Sequence, residues 1–161
     1  MPSLCRSLPR LIRAACLVAL MLPVLSSPLQ AVDTAPSEAA PDLAGVRAKI
    51  KTKAWAAAIL ELKAMLDRGI AQADVYNLMG FSLRKSGDLE RAYTFYRKAL
   101  EYEPNHKGAL EYLGELYVER GELAKAREHV RLLTGLCPSG CEELDDLKAA
   151  LAQADGGRNT N

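Results

Sequence analysis

The chain has 161 residues, of which 21 are basic and 20 acidic, so its formal net charge at neutral pH is only +1. Beyond the N-terminal segment no block of basic residues occurs, which argues against nucleic acid as a partner. The length suits one ordinary domain with its own hydrophobic core, and we expect a single domain.

The N-terminal segment, residues 1–31, has the charge and hydropathy order of a secretory signal peptide. It carries three arginines and no acid, then an apolar run over residues 14–25, then a polar stretch that ends at the small residue Ala31. The apolar run has about twelve residues, whereas a membrane-spanning helix needs roughly twenty. We therefore predict cleavage after Ala31, a periplasmic or otherwise secreted protein, and no stable membrane insertion after cleavage.

Two flanking segments have the composition of unstructured chain. Residues 32–41 are small and polar with two prolines, and residues 154–161 are polar and rich in glycine. Such segments bury too little apolar surface to become ordered. We expect a flexible lead-in, a disordered tail, and helices between them, because apolar residues recur there at helical spacing and no stretch alternates as a strand would.

A period of 34 residues runs through the helical part. It is visible in three pairs of positions: Gly80 and Gly114, Ala92 and Ala126, and Pro104 and Pro138. Small residues at fixed places allow two helices to approach closely, and proline stops a helix because it cannot continue the hydrogen-bond ladder. Gly87 and Gly121, also one period apart, suit the left-handed residue that ends a helix.

These residue types resemble the tetratricopeptide repeat, whose signature combines aromatic residues, a Leu-Gly pair, alanine and proline. The first copy has Tyr76, Met79, Gly80, Leu83, Ala92, Tyr96 and Pro104, and the second has Leu110, Leu113, Gly114, Tyr117, Ala126, Val130 and Pro138. The resemblance implies an all-α solenoid of helical hairpins, with complete repeats over residues 73–106 and 107–140.

One period earlier, residues 39–72 form a weaker copy of the repeat. Ala58 occupies the small position, and we expect helices near residues 42–52 and 55–68. Trp55 would then be a core residue between helices. We interpret this segment as a degenerate first repeat, because about three repeats are needed for a stable array.

After the last repeat, residues 141–153 carry leucines on one face and acids around it. That pattern is typical of the polar capping helix at a solenoid end. The predicted domain therefore covers residues 42–153 and consists of about three helical hairpins plus a C-terminal capping helix.

In proteins of this family the first helix of each repeat lines a concave groove, so the resemblance implies a groove that binds a protein or peptide partner. The groove positions are Asp74, Asn77, Phe81, Arg84 and Lys85 in one repeat, and Gly108, Glu111, Glu115, Val118 and Glu119 in the next. We expect Phe81 to be the main anchor and Arg84 to lie on the surface. Leu43 and Arg47 replace the carboxylate-clamp residues in the first unit, so a chain-terminal carboxylate ligand is not expected.

Cys137 and Cys141 are the two cysteines that remain after the leader. In an oxidising compartment an isolated pair is first a disulfide candidate, here joining the last repeat to the capping helix. The S-x-x-E pattern places Cys141 in the first helical turn, where the helix dipole favours a thiolate, so redox exchange and Cu(I) binding stay open as alternatives. We predict no metal site, since neither His106 nor His129 lies at ligand spacing to the pair.

The sequence carries no enzyme signature such as G-x-S-x-G, H-E-x-x-H or a phosphate-binding loop. We therefore predict a non-enzymatic interaction scaffold or assembly factor of the bacterial periplasm, without a cofactor. The alternative is a thiol-redox or Cu(I)-handling protein that uses Cys137 and Cys141. Self-association through an open solenoid end is a further alternative.

Overall fold

The structure, a computed structural model, describes residues 40–158. The predicted signal peptide, residues 1–31, and most of the predicted lead-in lie outside the described residues. The described chain forms no strand and seven helices: α1 (Ala44–Lys51), α2 (Trp55–Asp67), α3 (Ala73–Lys85), α4 (Leu89–Tyr102), α5 (Lys107–Glu119), α6 (Leu123–Leu136) and α7 (Glu142–Arg158). The predicted all-α fold is confirmed. None of these described helices is both long enough and apolar enough to cross a bilayer.

Each of the three hairpins turns at a residue with left-handed backbone. Gly87 has φ 93° between α3 and α4, and Gly121 has φ 74° between α5 and α6. Lys53, one period before Gly87, has φ 58° between α1 and α2. A residue with a Cβ pays about 1 to 2 kcal/mol for this conformation. Helices α1 and α2 therefore follow the repeat geometry although their turn has lost its glycine.

Polar side chains begin two of the helices. The Asp88 carboxylate accepts a hydrogen bond from the backbone N–H of Arg91 at 3.1 Å, at the start of α4. At the start of α5, Nδ1 of His106 accepts one from the backbone N–H of Ala109 at 3.0 Å. These caps satisfy amide groups that a helix leaves without intrahelical partners.

The hydrophobic core continues from the first unit into the complete repeats. Val46, Ala58 and Leu62 are fully buried in the same cluster as Tyr96 and Leu116. A second cluster closes the C-terminal end and consists of Leu110, Leu133, Cys137, Leu144 and Leu147. The degenerate first repeat thus supplies apolar surface that the first complete repeat needs to cover its own.

The two repeat glycines lie beneath different side chains. A Cβ atom on Gly80 would lie 2.6 Å from Cδ1 of Tyr96, and one on Gly114 would lie 2.5 Å from Cδ2 of Leu147. Both distances are too short for real contacts. Val130 stands in the second repeat where Tyr96 stands in the first. Helix α7 therefore fills, with Leu147, the space that an aromatic ring fills in the preceding repeat.

The terminal helix is longer than predicted. Helix α7 continues through Arg158, so the prediction of a disordered tail from residue 154 is wrong for residues 154–158, while 159–161 lie outside the described part. Within the added turns the Asp155 carboxylate accepts hydrogen bonds from the guanidinium of Arg127 in α6 at 2.8 Å, an exposed tertiary contact that the composition of this segment does not predict. Helix α7 packs against both α5 and α6.

The packing of Gly80 gives a direct test of this fold. Gly80→Leu is expected to lower the free energy of unfolding by about 2 to 3 kcal/mol or more, because the new side chain must displace the buried ring of Tyr96. The matched control is Gly135→Leu, since Gly135 lies in α6 with no atom near the position of its Cβ. Its effect should stay within about 1 kcal/mol. Urea titrations followed by circular dichroism measure both, and equal losses would contradict the packing of Gly80.

Candidate protein-interaction groove

Helices α1, α3, α5 and α7 contribute to one face of the domain, on which two clefts open. The first, here called the acidic cleft, encloses about 270 Å³ and is lined by Arg47, Asp74, Asn77, Leu78, His106, Gly108, Glu111, Tyr112, Glu142, Glu143 and Asp146. The second, here called the Arg84 cleft, encloses about 320 Å³ and is lined by Arg84, Lys85, Glu115, Val118, Glu119, Ala150, Gln153 and Ala154.

The predicted groove residues are divided between these clefts. Asn77 and Glu111 line the acidic cleft, together with Asp74 and Gly108. The Arg84 cleft receives the remaining charged positions: Arg84, Lys85, Glu115 and Glu119. Phe81 lines neither of the two. The structure thus brings most of the predicted groove residues to one face, and their role in partner binding stays a prediction.

Helix α7 contributes to both clefts, and this was missed in the sequence analysis, which assigned it only a capping role. Glu143, Asp146, Ala150 and Gln153 line the clefts, while Leu144 and Leu147 on another side of the helix are buried. The cleft-lining residues follow steps of three and four, which is the spacing of one helical face. This cleft-lining stripe, beside the leucine stripe, is the feature of the sequence that indicates a second role for α7.

Arg84 is buried, so its predicted surface position is wrong. Its side chain is only 3% exposed, and its guanidinium donates hydrogen bonds to Glu119 at 2.9 Å and to Glu115. The guanidinium carbon also lies 5.9 Å from the ring centroid of Phe81 and 5.7 Å from that of Tyr112. Two carboxylates and two aromatic faces therefore compensate the desolvated charge.

Phe81 has a structural role in addition to its predicted role as an anchor. Its ring centroid lies 4.8 Å from that of Tyr112 and 6.0 Å from that of Trp55, and its side chain is partly buried. Trp55, predicted in the core, is itself only partly buried. Replacing Phe81 would therefore disturb the packing whether or not the ring contacts a partner, so other positions are needed to test the groove.

Glu111 is the buried acid of the acidic cleft, with 7% of its surface exposed. Burial raises the pKa of its carboxyl to about 8, and three neighbouring carboxylates add to this shift. They belong to Glu115, Asp146 and Glu143, while the guanidinium of Arg84 acts in the opposite direction. The carboxyl is thus mostly protonated at neutral pH, because ionising it would place another negative charge in an already acidic environment.

At the other side of the acidic cleft, Asp74 is paired with basic groups. Nε2 of His106 lies 3.1 Å from Asp74 Oδ1, and the guanidinium of Arg47 lies 3.9 Å from Asp74 Oδ2. Because Nδ1 of His106 accepts a hydrogen bond from the Ala109 backbone N–H, the ring hydrogen is on Nε2, which donates a hydrogen bond to the Asp74 carboxylate.

The two cysteines lie at the edge of this region. Their Sγ atoms are 2.18 Å apart, which is disulfide distance. Helix α7 begins at Glu142, so Cys141 immediately precedes the helix and is not in its first turn as predicted. One oxygen of the Glu143 carboxylate lies within 4.8 Å of both sulfur atoms. No other group of three such ligands is found within that distance among the described residues.

Residues 83–153 match the model of a family described as tetratricopeptide repeat. The hairpin fold, the 34-residue period and this match, which covers less than half of the chain, support an array of tetratricopeptide repeats. Proteins of this family are typically non-enzymatic scaffolds that bind protein partners, and the match supports a role in protein–protein interaction.

Curated proteins with similar sequence come from bacteria and eukaryotes. The chain is 35% identical over 107 residues to the probable biofilm formation methyltransferase WspC of Pseudomonas putida, covering 66% of this chain and 25% of that protein. It is 39% identical over 62 residues to the uncharacterized protein ycf37 of Pyropia yezoensis, covering 38% of this chain and 35% of that protein. It is 38% identical over 55 residues to the BBSome complex member BBS4 of Bos taurus, covering 34% of this chain and 11% of that protein. The chain thus spans at most about a third of these relatives.

The burial of Arg84 predicts that Arg84→Ala is destabilising. We expect a loss of about 1 to 3 kcal/mol in the free energy of unfolding, because the variant removes two charge-assisted hydrogen bonds and leaves Glu115 and Glu119 in mutual repulsion. Lys85→Ala, at the adjacent exposed position, is the control and should change stability by less than about 0.5 kcal/mol. Chemical denaturation measures the free energy of unfolding of both variants. A denaturation midpoint of Arg84→Ala equal to that of the wild type would refute the buried ion pair.

The raised pKa of Glu111 predicts that the effect of Glu111→Gln on stability depends on pH. Its folded-state pKa of about 8 lies above the ordinary value of 4.5, so its favourable contribution is fully present below pH 4.5 and is lost as the pH rises through 8. At pH 9, Glu111→Gln should therefore raise the free energy of unfolding by about 1 to 3 kcal/mol. At pH 4 the two proteins should differ by less than about 0.5 kcal/mol.

Urea titrations of the wild type and the variant at both pH values measure this difference. The control is Glu101→Gln, at an exposed position on α4 paired with Lys98, whose effect should stay below about 0.5 kcal/mol at either pH. A Glu111→Gln effect that does not change between pH 4 and pH 9 would contradict the buried, protonated carboxyl.

Proposed function

We propose that the protein is an interaction scaffold or assembly factor of the bacterial periplasm that binds a segment of a partner protein along this groove. The observation that carries the proposal is the presence of two neighbouring clefts on one face, built by α3, α5 and α7 of a fold family that serves as binding scaffold. A groove of this kind suits an extended or helical segment, because each cleft can receive a separate side chain.

We further propose that the protein acts without catalysis or a cofactor of its own. Nucleophilic catalysis needs a serine, threonine or cysteine beside a base. Among the described residues that line the two clefts there is none of these three types. In the Arg84 cleft, the guanidinium of Arg84 pairs across helices with Glu115 and Glu119.

The proposed location follows from the leader pattern of residues 1–31, with its arginines, short apolar run and small residue before the cleavage site. In that location the protein would meet other envelope proteins. The identity of its partner is encoded in groove side chains and not in the repeat signature.

Site-specific photo-crosslinking in cells tests the proposal. A photoreactive phenylalanine analogue would replace Lys85 or Asp146 in the groove, and Lys63 or Arg97 on α2 and α4 as controls; all four positions are exposed. We expect the same protein adduct from both groove positions and none from the controls, in a periplasmic fraction in which the chain starts near Val32. Adducts formed only from α2 and α4 would contradict the groove, and adducts between two copies of the chain would identify self-association instead.

A second candidate function, thiol-redox exchange or Cu(I) handling, is favoured by one observation. The Glu143 carboxylate lies within 4.8 Å of the sulfur atoms of Cys137 and Cys141. Two thiolates are suitable Cu(I) ligands when the pair is reduced. We nevertheless propose a structural disulfide that joins α6 to α7, because the predicted compartment is oxidising.

Thiol titration separates these two roles of the cysteine pair. Protein taken directly from the periplasm should show no reactive thiol, and replacing both cysteines by serine should lower the free energy of unfolding by about 2 kcal/mol, the chain-entropy contribution of a very short loop. Two rapidly reactive thiols, together with bound copper that the double variant loses, would instead establish the metal or redox role.

A further inference from the structure

The acidic cleft contains four carboxyl groups that lack a cationic partner. They belong to Glu111 on α5 and to Glu142, Glu143 and Asp146 on α7. Among the described residues, no lysine, arginine or histidine lies within ion-pairing distance of any of the four, whereas Asp74 in the same cleft is paired with Arg47 and His106. Helix α7 therefore presents unneutralised carboxylates to the cleft, and Glu111 of α5 faces them without a paired cation.

Asn77 provides a second and independent sign of a ligand at this cleft. The residue is only 4% exposed, it lines the cleft, and its buried side-chain oxygen Oδ1 has no hydrogen-bond partner. Leaving a buried carbonyl oxygen without a donor costs about 1 to 3 kcal/mol. A ligand that brings a hydrogen-bond donor into the cleft would recover that cost.

The neighbouring Arg84 cleft shows what kind of group fits such an arrangement. Glu111, Glu115 and Glu119 follow one another at four-residue steps on the same face of α5. The last two hold the guanidinium of Arg84, which also lies over the ring of Tyr112. Two helical turns before Arg84, helix α3 presents Asn77, which offers an acceptor and no cation. Glu111 thus lacks a paired cation, whereas Glu115, one turn further along α5, is paired with Arg84.

The spacing of the carboxylates favours a side-chain cation over a metal ion. No three acids of this cleft bring ligand atoms within 4.8 Å of one another, since the one such group among the described residues is the cysteine pair with Glu143. A metal ion needs ligands that converge on one point. A planar guanidinium has several N–H donors that spread over separate acceptors, and it stacks on aromatic rings such as Tyr112.

We propose that the acidic cleft is the docking position for a basic segment of the partner protein, whose arginine side chain enters between Glu111 and Asp146 and donates to Asn77. This inference rests on the proposed function and specifies the chemistry of its partner. The cleft volume of about 270 Å³ suits a single side chain with its flanking backbone, so the recognised unit is a short segment.

Docking of a cation here is coupled to proton release. The titratable and charged groups that face Glu111 are Arg47, Asp74, Arg84, His106, Tyr112, Glu115, Glu142, Glu143 and Asp146. Acids outnumber bases in this set, and the pKa of Glu111 is about 8. An arriving guanidinium stabilises the carboxylate form, so binding at pH 7 should release a proton, and affinity should rise with pH up to about 8.

The test uses the protein after removal of the leader and three capped peptides of the same glycine and serine background. One carries a central pair of arginines, one carries citrulline, the uncharged analogue of arginine, and one carries glutamates. Nuclear magnetic resonance titration follows the side-chain amide of Asn77, and calorimetry in two buffers measures the released proton. We expect only the arginine peptide to shift the Asn77 signal, with release of a proton at pH 7.

Variants of the protein identify which carboxyl group binds the arginine peptide and releases the proton. Glu111→Gln should weaken binding of the arginine peptide about tenfold, the fold-change of one charge-assisted hydrogen bond, and should abolish the proton release. Asp146→Asn should weaken binding while keeping the proton release, and Glu101→Gln on α4 should bind like the wild type. Because Glu111→Gln is expected to stabilise the fold, its loss of binding cannot be ascribed to unfolding.

Several results would overturn the inference. Equal binding of the citrulline peptide would exclude recognition of charge, and preferential binding of the glutamate peptide would reverse the proposed chemistry. A Ca²⁺ titration that shifts Asn77 while the arginine peptide does not would indicate a metal site instead. If groove crosslinks to a partner form in cells while arginine peptides fail to bind, this inference is wrong and the proposed function stands. If neither occurs, both are wrong.

Discussion

The buried guanidinium of Arg84 is the constraint on which the geometry of the groove depends. An unpaired charge at this depth would cost several kcal/mol, so α5 must present Glu115 and Glu119 to α3 at the position they occupy. The neighbouring rings of Phe81 and Tyr112 both contact the same cation. One side chain thereby links two successive repeats.

The same interaction explains why the face is electrostatically uneven. Carboxylates four residues apart on a helix repel one another, and Arg84 relieves that repulsion for Glu115 and Glu119 but not for Glu111. Helix α7 then adds Glu143 and Asp146 opposite Glu111, which raises its pKa further. One half of the groove is thus neutralised from within the fold, while the other half keeps its negative charge.

Much of the architecture could be predicted because it depends on local requirements of backbone and size. Gly87 and Gly121 adopt left-handed backbone, and Gly80 faces a ring that leaves no room for a side chain. These requirements restrict a position to one or two residue types, so the 34-residue period is visible in the sequence. Where a requirement is weaker, as at Lys53, the turn keeps its geometry and the signal is lost.

The features that the sequence does not predict depend on contacts between distant parts of the chain. Helical spacing places Arg84 on the inner face, but its burial is decided by the acids of the next repeat, 31 and 35 residues later. The composition of residues 154–161 predicts disorder, whereas α7 continues through Arg158 and Asp155 pairs with Arg127 of α6. The acidic stripe of α7 becomes part of a site only when α7 packs against α5. The partner is not encoded by the repeat positions that define the family.

A double-mutant cycle between Arg84 and Glu115 tests most directly the claim that this ion pair joins the repeats. Chemical denaturation would compare the wild type, Arg84→Met, Glu115→Gln and the double variant, with the exposed pair of Lys63 and Asp67 as reference. We predict a coupling energy of at least about 1 kcal/mol for the buried pair, against about 0.3 to 0.5 kcal/mol for the exposed one. Effects of Arg84→Met and Glu115→Gln that add to within about 0.3 kcal/mol would contradict the account.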